Sequence, residues 1–201
     1  MKPTDIAQPD YFHKVVDCQW ACPAHTPVPE YIRLIAQGRY DDAYLVNWKS
    51  NVFPGILGRT CDRPCEPACR RVRVEEGSPE HRKAHAKPEA VAICRLKRAA
   101  ADYKGDIRPH LPKPAAKGNG KRVALVGAGP ASLTVARDLA PHGYQCVVFD
   151  GDPKAGGMMR TQIPKFRLPD RVIDEECGYV LDLGVEFRAG TRVDSMASML
   201  A

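Results

Sequence analysis

The chain has 201 residues, with 30 Lys and Arg against 24 Asp and Glu, and eight cysteines. This length suits one large domain or two small ones. The first residues lack the apolar segment of a secretory signal peptide, and no apolar run is long enough to cross a membrane. We therefore expect a cytoplasmic protein without a membrane span, whose thiols are free or metal-bound rather than paired in disulfides.

The formal net charge of +6 comes mostly from Lys and Arg in residues 59–108. This stretch has no interleaved aromatic residues and no recognisable nucleic-acid-binding motif. A solvated surface, or a docking face for an acidic protein, explains the charge better than contact with nucleic acid does. We expect no nucleic-acid partner.

Helical spacing dominates the first half of the chain, residues 1–105. A helix is predicted from Thr26, its N-cap, to Gly38, which ends it. Its apolar stripe is Ile32, Ile35 and Ala36. Further helices are expected at residues 40–49 and 91–103, and an exposed charged insertion at residues 75–89. The first half therefore predicts a small all-helical domain.

The character of the sequence changes after a linker at residues 106–120, which is rich in proline and glycine. From residue 121 to residue 201, a buried-type strand, a helix and a second strand form a β-α-β unit. The predicted strands are 122–126, 144–150 and 185–188, and the predicted helices are 131–142 and 169–183.

Six cysteines in the first half have the spacing of metal ligands. They are Cys18, Cys22, Cys61, Cys65, Cys69 and Cys94. Thiolates at short intervals in one loop, completed by a distant segment, are typical of a [4Fe–4S] cluster. A structural zinc site is the alternative, but zinc sites favour two matched cysteine pairs. For Cys94 a packed helix thiol is also an open alternative.

A glycine turn lies between the first predicted strand and its helix. Gly127 permits the tight turn, Gly129 lets the backbone approach a pyrophosphate, and Ser132 is small enough for close packing of helix and strand. Asp150 ends the second strand, where a carboxylate accepts hydrogen bonds from ribose hydroxyls. This pattern is common to FAD and NAD sites.

The order of these motifs resembles a known family. Residues 10–104 are similar to the N-terminal iron–sulfur domain shared by the glutamate synthase small subunit and dihydropyrimidine dehydrogenase, and residues 17–23, 58–69 and 91–98 carry the likeness. The resemblance implies a small all-helical iron–sulfur domain followed by a partial Rossmann-like FAD-binding domain. It also implies two [4Fe–4S] clusters, one held by Cys22, Cys61 and Cys65 and the other by Cys18 and Cys69.

The sequence departs from the family pattern at both clusters. Asp10 and His13 stand where the family has cysteines, so the second cluster either uses the His13 imidazole or is lost. In the first cluster, the family's last ligand is a non-cysteine side chain that aligns with Lys97. Because Cys94 lies one turn back on the same helical face, we expect Cys94 to supply the fourth thiolate.

Downstream residues favour FAD over NAD. Residues 155–158 and 163–169 resemble the flavin-contacting loop of the same family. The resemblance places the pyrophosphate on Gly129, Pro130, Ala131 and Ser132, and the ribose on Asp150. It places the flavin side on Gly157, Met158 and Arg167, and the adenine on the backbone of Val193.

The resemblance implies an NAD(P)H-dependent FAD and iron–sulfur oxidoreductase, in which NADPH reduces FAD and the clusters pass electrons to a partner subunit or a ferredoxin-like acceptor. No catalytic acid, base or nucleophile is expected. Family members continue beyond this length, so we expect a truncated chain with its nicotinamide site elsewhere in the complete protein. Two alternatives stay open, a non-catalytic docking subunit with an incomplete flavin site and a zinc-stabilised nucleic-acid binder.

Overall fold

The computed structural model describes residues 16–73 and 89–200. The predicted cluster residues Asp10 and His13 lie outside this part, as does nearly all of the insertion expected at residues 75–89. The chain divides into two compact units, Met1–Gly105 and Asp106–Ala201. Over the described ranges, no helix has both the length and the apolar character needed to cross a bilayer.

The first unit is helical where the structure describes it. Its helices are α1 (Asp17–Ala21), α2 (Val28–Ala36), α3 (Tyr40–Asn51), α4 (Pro54–Thr60), α5 (Arg70–Arg73) and α6 (Ile93–Tyr103). The predicted helices at 40–49 and 91–103 are confirmed as α3 and α6. This arrangement confirms the all-helical fold expected for the first half.

Helix α2 forms where it was predicted, but its buried face is different. Val28, Tyr31 and Leu34 are buried, whereas the predicted stripe of Ile32, Ile35 and Ala36 is only partly covered or exposed. With this face of α2 turned inwards, the Tyr31 hydroxyl donates to the Ile93 carbonyl at 3.1 Å. The ring can therefore be fully buried with its polar atom satisfied. The predicted stripe was therefore wrong in phase.

The predicted N-cap of α2 was also wrong. Pro27 occupies that position, and no side chain caps the helix. The Thr26 hydroxyl instead accepts hydrogen bonds from Ser50 at 3.1 Å and Asn51 at 3.2 Å, both on α3. Thr26 is fully buried, so its hydroxyl requires hydrogen-bond partners, and α3 supplies them.

Helices α4 and α6 approach each other closely at Gly58. A Cβ atom on Gly58 would lie 2.8 Å from both Cα and N of Arg98. Nearby, the buried Arg59 guanidinium donates to Asp102 at 2.6 Å. Cys61 follows Gly58 by three residues and Cys94 precedes Arg98 by four. The close approach therefore brings Cys61, at the end of α4, towards Cys94, at the start of α6.

The second unit contains a three-stranded parallel sheet with the strand order β1, β2, β3. Its strands are β1 (Arg122–Val126), β2 (Gln145–Phe149) and β3 (Glu186–Arg188). Its α-helices are α7 (Pro130–Leu139), α8 (Met158–Thr161), α9 (Asp170–Leu181) and α10 (Met196–Leu200). The β1–α7–β2 order confirms the partial Rossmann-like fold.

In the second unit, α7 packs against β1 and β2, and α9 packs against α7. Leu133, Val148 and Ile173 are fully buried. The stretch 106–120 contributes Ile107 and Leu111, which are also buried. Cys146 and Cys177 are buried thiols, and burial raises the pKa of Cys177 to about 12. Burial keeps both in the thiol form, which suits a packing role.

The close approach at Gly58 yields a stability prediction. Gly58→Ala must push α4 away from α6, and we expect the free energy of unfolding to fall by about 1–3 kcal/mol. Gly105→Ala is the matched control, because a Cβ there would meet only Asp41, at an ordinary 3.6 Å, and we expect a change within about 0.5 kcal/mol. Urea unfolding followed by fluorescence reports this unit, because Trp20 and Trp48 both lie in it. Equal stability of the two variants would contradict the packing argument.

Candidate iron–sulfur and dinucleotide sites

Three of the predicted ligand thiols meet where the loop after α4 reaches α6. The side chain of Cys94 is hydrogen-bonded to those of Cys61 and Cys65. This interaction lowers the pKa of Cys61 to about 5 and also lowers the pKa of Cys65, while it raises the pKa of Cys94. Two segments about thirty residues apart thus place three sulfur atoms side by side.

Polar groups of the loop hold this arrangement. Arg63 adopts the left-handed conformation, with φ at 63°, and its backbone N–H donates to the Cys61 sulfur at 3.3 Å. The Glu66 carboxylate accepts the backbone N–H of Cys94 at 3.0 Å, in the first turn of α6. A carboxylate at a helix N-terminus satisfies an amide that has no partner within the helix. Glu66 therefore fastens the cysteine loop to the helix that carries Cys94.

Lys97 brings a positive charge to the same place. It lies three residues after Cys94 on α6 and is only 5% exposed. Its charge lowers the pKa of Cys61 and Cys65, and it opposes the rise in the pKa of Cys94. A cation beside sulfur favours the thiolate form, which is the form that binds metal.

The other predicted ligands lie nearby with different partners. Burial raises the pKa of Cys18, and the charges of Cys69 and Cys65 raise it further, so these three sulfurs are neighbours. The Cys22 thiol donates to the Thr26 hydroxyl at 3.5 Å. Burial of Tyr31 raises the pKa of its hydroxyl, and charges on four of the cysteines add to this rise, namely Cys65, Cys94, Cys18 and Cys22. Tyr31 is thus a neighbour common to both predicted ligand sets.

Within residues 16–73 and 89–200, no group of three or more His, Cys, Asp or Glu side chains is arranged to hold one metal ion. A [4Fe–4S] cube makes a different demand on the protein, because each thiolate binds a different iron atom of the cube. Converging sulfurs, a backbone N–H on sulfur and a buried cation together fit such an anionic cluster.

In the second unit, the predicted glycine turn has an open cradle. Gly127 has φ at +87°, and its amide donates to the Phe149 carbonyl at 2.7 Å. A Cβ on Gly127 or Gly129 would meet nothing within 4 Å. Pro130 begins α7, followed by Ala131, and the Ser132 hydroxyl donates to the Val126 carbonyl at 3.3 Å. The turn thus leaves room for phosphate in front of the first turn of α7.

Asp150 lies beside this turn and anchors it. One carboxylate oxygen accepts the backbone N–H of Ala128 at 2.5 Å, and the other accepts that of Asp152 at 2.8 Å. Asp150 also lines a cleft of about 350 Å³ together with Gly127 and Val193. Each carboxylate oxygen has a second lone pair, so the side chain can still accept a ribose hydroxyl.

The loop predicted to contact flavin packs onto the glycine turn. The Gly156 amide donates to the Ala128 carbonyl at 2.8 Å. Gly157 has φ at +49°, and a Cβ there would lie 3.0 Å from the Gly129 Cα. The fold therefore brings together two glycine segments that are almost thirty residues apart. The next predicted residues, Met158 and Arg167, are exposed.

Arg160 holds this loop in place, and its role was not predicted from the sequence. Its side chain is 14% exposed, donates to the Ala155 carbonyl at 2.9 Å, and pairs with Asp170 and Asp174. The available signal was the pair of aspartates four residues apart, which share one face of a helix. That spacing does not predict that the two aspartates pair with Arg160, which lies ten residues before Asp170.

Both halves of the chain match described protein families. A domain described as dihydropyrimidine dehydrogenase domain II, with a 4Fe–4S cluster, matches residues 11–108. An NAD(P)-binding Rossmann-like domain matches residues 125–197. The chain joins an iron–sulfur domain of the dihydropyrimidine dehydrogenase type to a Rossmann-like domain. The resemblance seen in the sequence is thereby confirmed.

Longer curated relatives align with most of this chain. The chain is 36% identical to the NADP(+)-dependent formate dehydrogenase subunit beta of Moorella thermoacetica, over 88% of its own length and 26% of the relative's. It is 33% identical to the NADPH-Fe(3+) oxidoreductase subunit beta of Geobacter sulfurreducens, over 98% of its own length and 28% of the relative's. It is also 33% identical to the glutamate synthase [NADPH] small chain of Escherichia coli, over 88% of its own length and 35% of the relative's. The chain therefore spans about a quarter to a third of these relatives.

The Rossmann-like match identifies a dinucleotide fold and does not select the dinucleotide. Its description names NAD(P), whereas the sequence analysis favoured FAD. Both cofactors carry an ADP moiety, which the same β-α-β unit and glycine turn bind. FAD therefore stays a proposal for this chain.

The Arg160 contacts give a prediction for the loop dynamics. Arg160→Met keeps most of the side-chain stem and removes the charge, so we expect local opening at Gly156 to become easier by about 1–2 kcal/mol, or 5- to 30-fold. Lys154→Met is the control, because Lys154 is an exposed partner of Asp174 at 3.7 Å and surface pairs contribute little. Hydrogen exchange of the Gly156 amide measures the effect. Unchanged exchange in Arg160→Met would show that the loop does not depend on this side chain.

Proposed function

We propose that this chain is a module of an NAD(P)H-dependent FAD and [4Fe–4S] oxidoreductase of the glutamate synthase small-subunit type. In this role it relays electrons between flavin and iron–sulfur clusters towards a partner subunit or a ferredoxin-like acceptor. When bound, FAD supplies the exchange between a two-electron hydride and single electrons, and the clusters carry the single electrons. The observation that carries the proposal is the convergence of Cys61, Cys65 and Cys94, in a chain that also forms an open glycine cradle.

The first cluster is proposed to bind Cys22, Cys61, Cys65 and Cys94. The contacts of Cys94 with Cys61 and Cys65 support its role as the fourth ligand. Cys22 adds a thiol held by the Thr26 hydroxyl, which α3 fixes in turn. A second cluster would use Cys18 and Cys69, with His13 as a further ligand.

The FAD site is proposed at the glycine turn and the loop that packs on it. Gly127 and the residues Gly129 to Ser132 would bind the pyrophosphate, and Asp150 the ribose. Val193 lines the same cleft as Asp150, which supports its place at the adenine. Gly157, Met158 and Arg167 would face the flavin. In this chain the protein binds and orients, and no side chain is assigned to acid–base chemistry.

The remaining parts of the proposal concern the complete protein. Residues 1–105 are proposed to be the cluster domain and residues 121–201 the first part of the FAD domain, joined by residues 106–120. NADPH would bind elsewhere in the complete protein. The relatives are named as beta subunits or a small chain, which supports the proposal of a partner subunit for this chain. We propose a cytoplasmic location.

Iron content tests the cluster ligands directly. After anaerobic reconstitution of the full chain, we expect Cys61→Ser and Cys94→Ser each to lose about four iron atoms per chain, because each removes one ligand of a cube. Cys146→Ser is the control, since Cys146 is a buried thiol in the second unit. Iron and sulfide analysis with EPR spectroscopy reads out the result. Full iron and an unchanged EPR signal in Cys94→Ser would refute Cys94 as a ligand.

Flavin uptake tests the dinucleotide site. We expect Gly157→Ala to weaken FAD binding at least tenfold, because the new Cβ would press on the backbone at Gly129. Gly120→Ala is a matched control, since Gly120 also has a positive φ, +79°, but a Cβ there would meet nothing within 4 Å. Both variants place a side chain at a positive φ, which strains an L residue, but only Gly157→Ala adds the close contact with Gly129.

Equilibrium titration of the full chain with FAD, followed by quenching of flavin fluorescence, gives the affinities. Equal binding by Gly157→Ala and Gly120→Ala would contradict the proposed role of the loop. Clusters without any flavin uptake by the unchanged chain would support the docking-subunit alternative instead.

A further inference from the structure

Lys97 is the one buried lysine in the described part of the chain. It lies one turn after Cys94 on α6, and its charge reaches the sulfurs of Cys61, Cys65 and Cys94. Among residues 16–73 and 89–200, no Asp or Glu side chain forms an ion pair with it. Glu66, an acidic group of the cysteine loop, is engaged with the Cys94 amide and lies 4.0 Å from Arg63.

A buried ammonium without an opposite charge is costly. Removing the ammonium from water carries a large desolvation penalty, which is recovered only when an anion lies close by. In the described part of the chain, the charge of Lys97 acts on the sulfurs of Cys61, Cys65 and Cys94. A cube ligated by thiolates has a net negative charge, which becomes more negative by one unit on reduction, and so supplies the missing counter-charge.

Lys97 cannot itself be the fourth ligand while it is charged. An ammonium group has three N–H donors and no lone pair, so it cannot bind iron. It can donate to a sulfur atom and stabilise negative charge on the cluster. Because the interaction is with an ion that gains negative charge, it is stronger in the reduced state than in the oxidised state.

We propose that Lys97 is a positioning residue whose fixed positive charge raises the reduction potential of the cluster held by Cys22, Cys61, Cys65 and Cys94. The inference rests on the proposed function, since it requires that cluster to form. The step is a one-electron reduction, in which the electron comes from reduced flavin in the relay or from dithionite in the test. No bond forms or breaks, and the ammonium keeps its proton.

The test is a redox titration of the reconstituted full chain with dithionite, in which EPR spectroscopy follows the reduced cluster. Lys97→Met keeps the length of the stem without the charge. We expect its one-electron reduction to become at least tenfold less favourable, which makes the midpoint potential at least 59 mV more negative. Lys97→Arg keeps the charge and should stay closer to the unchanged chain than Lys97→Met. Lys104→Met is the control, since Lys104 directly follows α6 and lies over the Tyr44 ring, 5.1 Å from its centroid.

The outcomes separate the two proposals. An unchanged chain that binds no iron defeats the proposed function. Full iron in Lys97→Met with an unchanged potential overturns the role of Lys97 and leaves the cluster proposal standing. If Lys97→Met retains no iron, the neutral polar variant Lys97→Gln takes its place in the titration. A midpoint potential below that of the unchanged chain then supports the role of Lys97, and an unchanged potential refutes it. An equal shift in Lys104→Met would also overturn the proposal, since any lysine near α6 would then act alike.

Discussion

The contact between α4 and α6 at Gly58 determines the geometry of the first unit. It brings the backbones so close that a methyl group cannot fit between them. The two cysteine-bearing ends then meet, with Cys61 leaving one helix and Cys94 entering the other. Arg59 fastens α4 to α6 through Asp102, and Glu66 fastens the cysteine loop to α6 through the Cys94 amide. Helix packing therefore positions the proposed ligands, and the loop that carries Cys61 and Cys65 follows the end of α4.

Charge compensation follows from that packing. Several sulfur atoms are crowded into a largely buried space, which would oppose their ionisation if nothing offset the negative charge. Lys97 and the backbone N–H of Arg63 supply the offset, one by charge and the other by a hydrogen bond. Tyr31 lies beside the same sulfurs but turns its hydroxyl to the Ile93 carbonyl. The uncharged Tyr31 ring thus fills the space next to the sulfurs, and Lys97 supplies the positive charge.

The sequence predicted the features that depend on local backbone rules. Strands β1 and β2, the glycine turn and α6 all formed where hydrophobic runs, glycines and helical spacing placed them. The helical face shared by Cys94 and Lys97 was predicted for the same reason. The buried face of α2 was not, because Tyr31 gains its partner from a residue sixty-two positions away. The role of Arg160 was also hidden, since its partners are decided by how α9 packs.

Both candidate sites depend on a glycine that bears no ligand. Gly58 has an ordinary helical position, and only the space beside it requires the missing side chain. Gly157 requires glycine twice, because its φ is positive and because the Gly129 backbone lies against it. In each case the close approach joins two segments that must act together, the two cysteine stretches in one unit and the two glycine loops in the other. In both units, the candidate site residues come together only because a glycine lets two backbone segments meet.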